Sequence, residues 1–104
     1  MSVVNVVAII TAKAGKRAEV LTAFKANTPA VHAEKGCIEY NAVVDMEGVG
    51  GFQAKLGEDS FAVIEKWESM DALIAHATSD HMKAYGAKTK DLLESRVIHV
   101  LESA

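Results

Sequence analysis

The run Val3-Val4-Asn5-Val6-Val7-Ala8-Ile9-Ile10-Thr11 is rich in β-branched residues and apolar on both alternating faces. That is the pattern of a strand covered by a layer on each side, which makes it a central strand. A chain of 104 residues is one domain's length, so residues 1–104 are expected to form a single unit built around this strand. Gly15 ends it. From Lys16 the residues Leu21, Phe24, Thr28 and Val31, with Val20 beside them, recur at spacings of three and four and predict an amphipathic helix. Pro29 should kink or restart that helix near Thr28, and Gly36 should close the segment as a left-handed cap.

Cys37 to Asp45 alternates and reads as a second strand, with Ile38, Tyr40, Ala42 and Val44 on one face. Met46 to Asp59 carries Gly48, Gly50, Gly51 and Gly57 together with Val49, Phe52 and Leu56. It is too irregular for a strand and too apolar for a plain linker, so a lid or an extension of an interface is the expectation. Phe61 to Glu68 is a third strand with Phe61, Val63, Glu65 and Trp67 on one side. Ser69 then caps a short helix anchored by Leu73 and Ile74. Thr78-Ser79-Asp80 offers a second cap, so the helical region should break there and restart through Met82, Tyr85, Thr89 and Leu92 to end near Ser95. Arg96 to Leu101 is the last strand. The order β-α-β-β-α-β makes this an α+β chain of ferredoxin-like type, with helices on one face of a four-stranded antiparallel sheet. The apolar residues on the other face then need a cover, for which a second subunit is the simplest source.

Charge and composition remove several classes of function. Basic and acidic side chains number 5 and 5 in residues 1–50 and 6 and 9 in residues 51–104, for a net charge of -3. Neither half has the basic excess that nucleic acid or an anionic membrane surface requires. The nearly apolar run Val3 to Ile10 is far short of the roughly 20 residues of a membrane helix. Cys37 is the single cysteine, so no internal disulfide forms, and a reducing cytoplasm fits best. The start of the chain lacks a basic n-region and a small-residue cleavage site and is read as mature. The loop glycines do not follow GxGxxG, and neither HExxH nor His-x-x-x-His occurs. No flavin, nicotinamide or other cofactor and no metal site is therefore expected.

Ala33-Glu34-Lys35-Gly36-Cys37-Ile38-Glu39-Tyr40 and Glu65-Lys66-Trp67-Glu68-Ser69, followed by Leu73, His76 and His81, resemble the antibiotic biosynthesis monooxygenase or quinol monooxygenase domains of the dimeric α+β barrel superfamily. The likeness covers nearly the whole chain. It implies a homodimer whose sheets pack face to face into a barrel, with a pocket between sheet and helices in each subunit. Members of the superfamily oxidise hydroquinones or polyketide anthrones with dioxygen and no cofactor, degrade haem, or isomerise a phosphorylated signalling sugar. In the haem-degrading relatives a strand-one Asn matches Asn5, but its companion aromatic and histidine would fall near His76 and Gly86.

His76 and His81 are the candidate catalytic residues, because an imidazole takes a phenolic proton near neutral pH and a deprotonated hydroquinone gives up an electron to oxygen more readily. On an unbroken helix five residues would set the rings roughly 140° apart. The break at Thr78 to Asp80 relaxes this. Candidate substrate-binding residues are Asn5, Tyr40, Glu65, Trp67 and Tyr85. Asn5 is an amide among valines and isoleucines that must find partners. Trp67 and Tyr40 suit a flat aromatic by stacking, although core packing is their first expectation. Glu65 would raise an imidazole's basicity or pair with a Lys or Arg at the dimer edge. Tyr85 and Met82 stand at helical spacing on a segment that would floor the pocket. Cys37 reads as a buried thiol. The expected partner is a small quinol-like or aromatic molecule. An isomerase or lyase of a small oxygenated metabolite and a non-enzymatic ligand-binding module are the alternatives.

Overall fold

The computed structural model describes residues 3–104; Met1 and Ser2, which the single-unit expectation includes, lie outside the described residues. Its elements are β1 (Val4–Ala12), α1 (Arg17–His32), β2 (Cys37–Val43), β3 (Ser60–Trp67), α2 (Met70–Ala77), α3 (Asp80–Thr89), a 3₁₀ turn (Lys90–Leu92) and β4 (Leu93–Leu101). The sheet order is β2-β3-β1-β4 with every neighbouring pair antiparallel. This is the ferredoxin-like α+β arrangement, and β1 is a central strand as its composition requires.

Alternation along β1 divides the sheet into two faces. Val4, Val6, Ala8 and Ile10 are buried beneath the helices, where Val4 lies opposite Trp67 and Ile10 opposite Phe61 on β3. Phe24, Val20 and Val31 of α1 close the layer above them. Each such large side chain taken out of water contributes about 1.5–3 kcal/mol. Asn5, Val7, Ile9 and Thr11 point to the other face. Val7 and Ile9 are only half-buried there, and Val97, His99 and Leu101 of β4 beside them are exposed. Among the described residues nothing covers that face.

Beyond one-residue shifts at the ends of β1 and β3 and a register shift in β2 between Cys37 and Glu39, the elements differ from expectation in four places. The helix runs through Pro29 as one piece. The proline is exposed in the last turn, so the carbonyl of exposed Lys25, which lost its N–H partner, faces water. Gly36 has φ +88° but is not the helix cap, which is Ala33 in ordinary right-handed geometry. Gly36 instead turns the chain into β2 against the start of α2: a Cβ there would stand 2.7 Å from Ala72 Cβ, and its carbonyl accepts the Glu68 N–H at 2.9 Å. β2 stops at Val43, two residues early, because Asp45 is drawn into the following loop, where its two carboxylate oxygens accept the N–H groups of Leu56 (2.8 Å) and Gly57 (2.9 Å). β4 starts at Leu93, three residues early, since the helix ends in the short 3₁₀ turn.

Candidate functional site

The break between α2 and α3 builds the site. Ser69 Oγ accepts the Ala72 N–H and Ser79 Oγ accepts the Met82 N–H, so each helix has its own N-cap, and Thr78 and Ser79 turn the chain between them. Both histidines thereby reach one carboxylate. Glu34, just past the end of α1, accepts at Oε2 from His76 Nδ1 and from His81 Nε2, each at 2.8 Å.

The hydrogen-bond partners fix both tautomers. A carboxylate only accepts, so the nitrogens facing Glu34 carry the protons. Ser79 Oγ donates to the His76 carbonyl at 2.7 Å, which leaves it an acceptor toward His81 Nε2 at 3.3 Å and agrees with an N–H there. In the neutral rings His76 Nε2 and His81 Nδ1 carry the lone pairs. His76 is 4% exposed, and the His81 side chain is the open member at 30%.

Aromatic rings hold His76 in place. Trp67, fully buried, lies 4.6 Å from the His76 ring centre, and Tyr40 meets it edge-on at 5.3 Å. Phe24 stacks on Tyr40 at 5.0 Å and takes Tyr85 on its edge at 6.3 Å. Trp67 Nε1 donates to Glu65 Oε1 at 2.9 Å. Glu65 therefore pairs with an indole inside the chain rather than with a Lys or Arg at an edge. Burial raises its carboxyl above the usual range, partly offset by the Trp67 hydrogen bond. Burial likewise raises the Tyr40 and Tyr85 hydroxyls and the Cys37 thiol. The remaining Glu65 oxygen, His76 Nε2 and both tyrosine hydroxyls make no hydrogen bond among the described residues. No sealed side-chain polar atom lacks a partner among the described residues, so each of these atoms borders accessible space.

The structure differs from expectation in the placing of Asn5 and in joining Glu34 to the two histidines. Asn5 does not join the site: it pairs in register with Lys66, whereas Trp67 pairs with Val4, and the period of two puts Asn5 on the opposite face of the sheet. Between the sheet and residues 70–93, Leu73, Met82, Tyr85 and Leu92 pack partly buried against the core. A groove of about 440 Å³ runs between α1 and β2 with Phe24, Thr28, His32 and Tyr40 in its walls; Glu34, His76 and His81 do not line it. Finally, a set of side chains with metal-ligand chemistry does exist, since the donor atoms of Glu34, His76 and His81 all lie within 4.8 Å of one another. Sequence spacing concealed it, because Glu34 is 42 residues from His76. Its only signal was its place in the stretch before Gly36.

The sequence pattern of the family described as antibiotic biosynthesis monooxygenase matches residues 3–88. The chain belongs to the antibiotic biosynthesis monooxygenase family. Probable quinol monooxygenase YgiN of Escherichia coli K12 is 38% identical over 96 residues, which span 89% of this chain and 91% of that protein. The structure named "putative antibiotic biosynthesis monooxygenase" from Caulobacter crescentus CB15 superposes with a TM-score of 0.82 at 28% identity, covering 99% of this chain and 91% of that one. A conserved protein from Methanosarcina mazei Go1 shares the fold at a TM-score of 0.84 and 23% identity, over 100% of this chain and 95% of that one. The family match takes in Glu34, Trp67, His76 and His81. Among the described residues no helix is long and apolar enough to cross a membrane.

Proposed function

We propose that this protein is a monooxygenase that oxidises a small quinol-like or anthrone-like aromatic with dioxygen, without a bound cofactor and as a homodimer. The observation that carries this reading is the pair of histidines fixed by one carboxylate with a lone pair left on each ring. The likeness to a quinol monooxygenase supports the substrate class.

His76 and His81 take the substrate's acidic proton, His81 being the member open to an approaching ligand. Glu34 holds both rings in the accepting tautomer. The anion passes an electron to dioxygen, and the resulting pair joins through a new carbon–oxygen bond. The O–O bond then breaks with loss of water. For an anthrone the CH₂ becomes C=O; for a quinol a ring C–H becomes C–OH and the ring ends as a quinone. One oxygen atom enters the product and one leaves as water, and the substrate supplies all four electrons, so no external reductant is consumed. Trp67 and Tyr40 pack around His76 and keep water from it, while Glu65 and the tyrosine hydroxyls offer polar handles for the substrate oxygens.

The uncovered sheet face is the dimer surface of this proposal, bringing Val7, Ile9, Val97 and Leu101 of one protomer against its partner. Oxygen-18 gas tests the reaction: one labelled atom in the product supports it, and unlabelled product contradicts it. Light scattering on the eluting protein tests the dimer against the chain mass of 11.1 kDa.

A further inference from the structure

We propose that Glu34, His76 and His81 also form a binding site for a divalent transition-metal ion of zinc type, and that filling it silences the histidines as bases. Metal binding follows from the side chains alone; only its consequence for turnover rests on the function proposed above.

The donor set is one carboxylate oxygen and two imidazole nitrogens, which suits zinc. Glu34 Oε2 is 2.8 Å from each nitrogen, and all three atoms lie within 4.8 Å of one another. Tetrahedral ligation at about 2.0–2.2 Å sets donors roughly 3.3 Å apart, so Glu34 opens from each nitrogen by about half an ångström while the two nitrogens, within 4.8 Å, close on each other by up to about 1.5 Å. The three donors come from the end of α1 and from two separately capped helices, which are rigid supports. The half-open His81 side chain gives an entry path and room for a water as fourth ligand. Glu65 is anchored on the Trp67 that packs against His76 and has one oxygen unpaired. That oxygen is the candidate for the outer carboxylate that metal-bound histidines commonly use.

Binding needs no net loss of protons from the rings. Each neutral imidazole carries one N–H and one lone pair, and the lone pair now points away from Glu34. Exchanging tautomers turns the lone pairs inward to the metal and the protons outward to His76 Nε2 and His81 Nδ1. The outward nitrogens become donors and no longer accept a substrate proton.

The test uses the full-length protein stripped with a chelator, desalted and titrated with zinc chloride in a calorimeter, with the imidazole nitrogens followed by NMR. One zinc per chain is expected, with both tautomers inverted on binding. Glu34→Gln and His81→Gln should each weaken binding by more than about tenfold. His99→Ala, on the exposed sheet face, should leave it unchanged. The circular dichroism of each variant checks the fold. No binding, binding undiminished in Glu34→Gln and His81→Gln, or unchanged tautomers would overturn the proposal. Turnover on zinc loading is measured separately: if the protein shows no oxidase activity at all, the proposed function fails while the isotherm and the tautomer shift still decide the site.

Discussion

His76 Nδ1 and His81 Nε2 converge on the same oxygen of Glu34, 2.8 Å from each, across separations of 42 and 47 residues. One carboxylate therefore sets the tautomer and the orientation of two rings on two different helices. Replacing Glu34 by Gln keeps the shape but presents an amide that can donate as well as accept. The rings are then free to turn their lone pairs inward. Turnover should fall by about 10–100-fold, a part of what a positioned base supplies, with kcat affected more than KM and the thermal midpoint little changed. An equal rise in KM with kcat intact would assign Glu34 to substrate binding instead.

Gly36 fixes how the Glu34 segment meets α2. An added Cβ meets Ala72 Cβ at 2.7 Å, both on backbone that packs tightly, and the residue sits at φ +88°. Gly36→Ala combines the left-handed penalty of about 1–2 kcal/mol with an overpacking cost of about 1–3 kcal/mol. Urea unfolding should show a loss of about 2–5 kcal/mol relative to the parent chain. A loss under about 0.5 kcal/mol would mean that the turn relaxes freely.

Asp45 ties the glycine-containing loop by accepting the Leu56 and Gly57 N–H groups, and these bonds lower its pKa below the usual carboxylate range. The sign follows from linkage: with the folded value depressed, the contribution is present above the unfolded value and is lost as pH falls through the folded one. The amide resonances of Leu56 and Gly57 should move together in acid, with a midpoint below that of an unstructured aspartate. In Asp45→Asn the same resonances should show no such acid transition. Phe52, 88% exposed on this loop, should broaden or shift in step with Asp45 only if the loop moves as a unit.

Cys37 faces Glu34 and Glu65, and its thiol is raised first by burial and then by those two carboxylates. A thiol-specific disulfide reagent at neutral pH should react at least about tenfold more slowly with the folded chain than with the urea-unfolded chain, because the thiolate is the reacting form. Equal rates would show an open, activated thiol and place Cys37 among the functional groups.

The fold was legible because its signals are local. The two-faced apolar run of β1 and the two serine caps each depend on a few neighbouring residues and formed as expected, whereas a register shift between Cys37 and Glu39 broke the alternation of β2, placing Cys37 with Tyr40 and Ala42 against the core and leaving Ile38 exposed. The boundaries that moved were set by distant partners, as when Asp45 left β2 to bind Leu56 and Gly57. His76 and His81 were legible as a pair because the capping signal at Ser79 broke their helix. Glu34 was not, since a charged residue after a helix end reads as solvated until the fold carries it to α2 and α3. Asn5 failed for a different reason. Its polarity was visible, but the side of the sheet it faces depends on register with Lys66 and Trp67.

The measurement that tests the central claim most directly is oxygen uptake by metal-free, flavin-free protein with a panel of dihydroquinones and anthrones, corrected for spontaneous oxidation and repeated with His76→Ala, His81→Ala and the double variant. Protein-dependent uptake is expected, falling at least about 100-fold in the double variant, with the fold of His81→Ala retained. Uptake that persists unchanged without both histidines would contradict the claim.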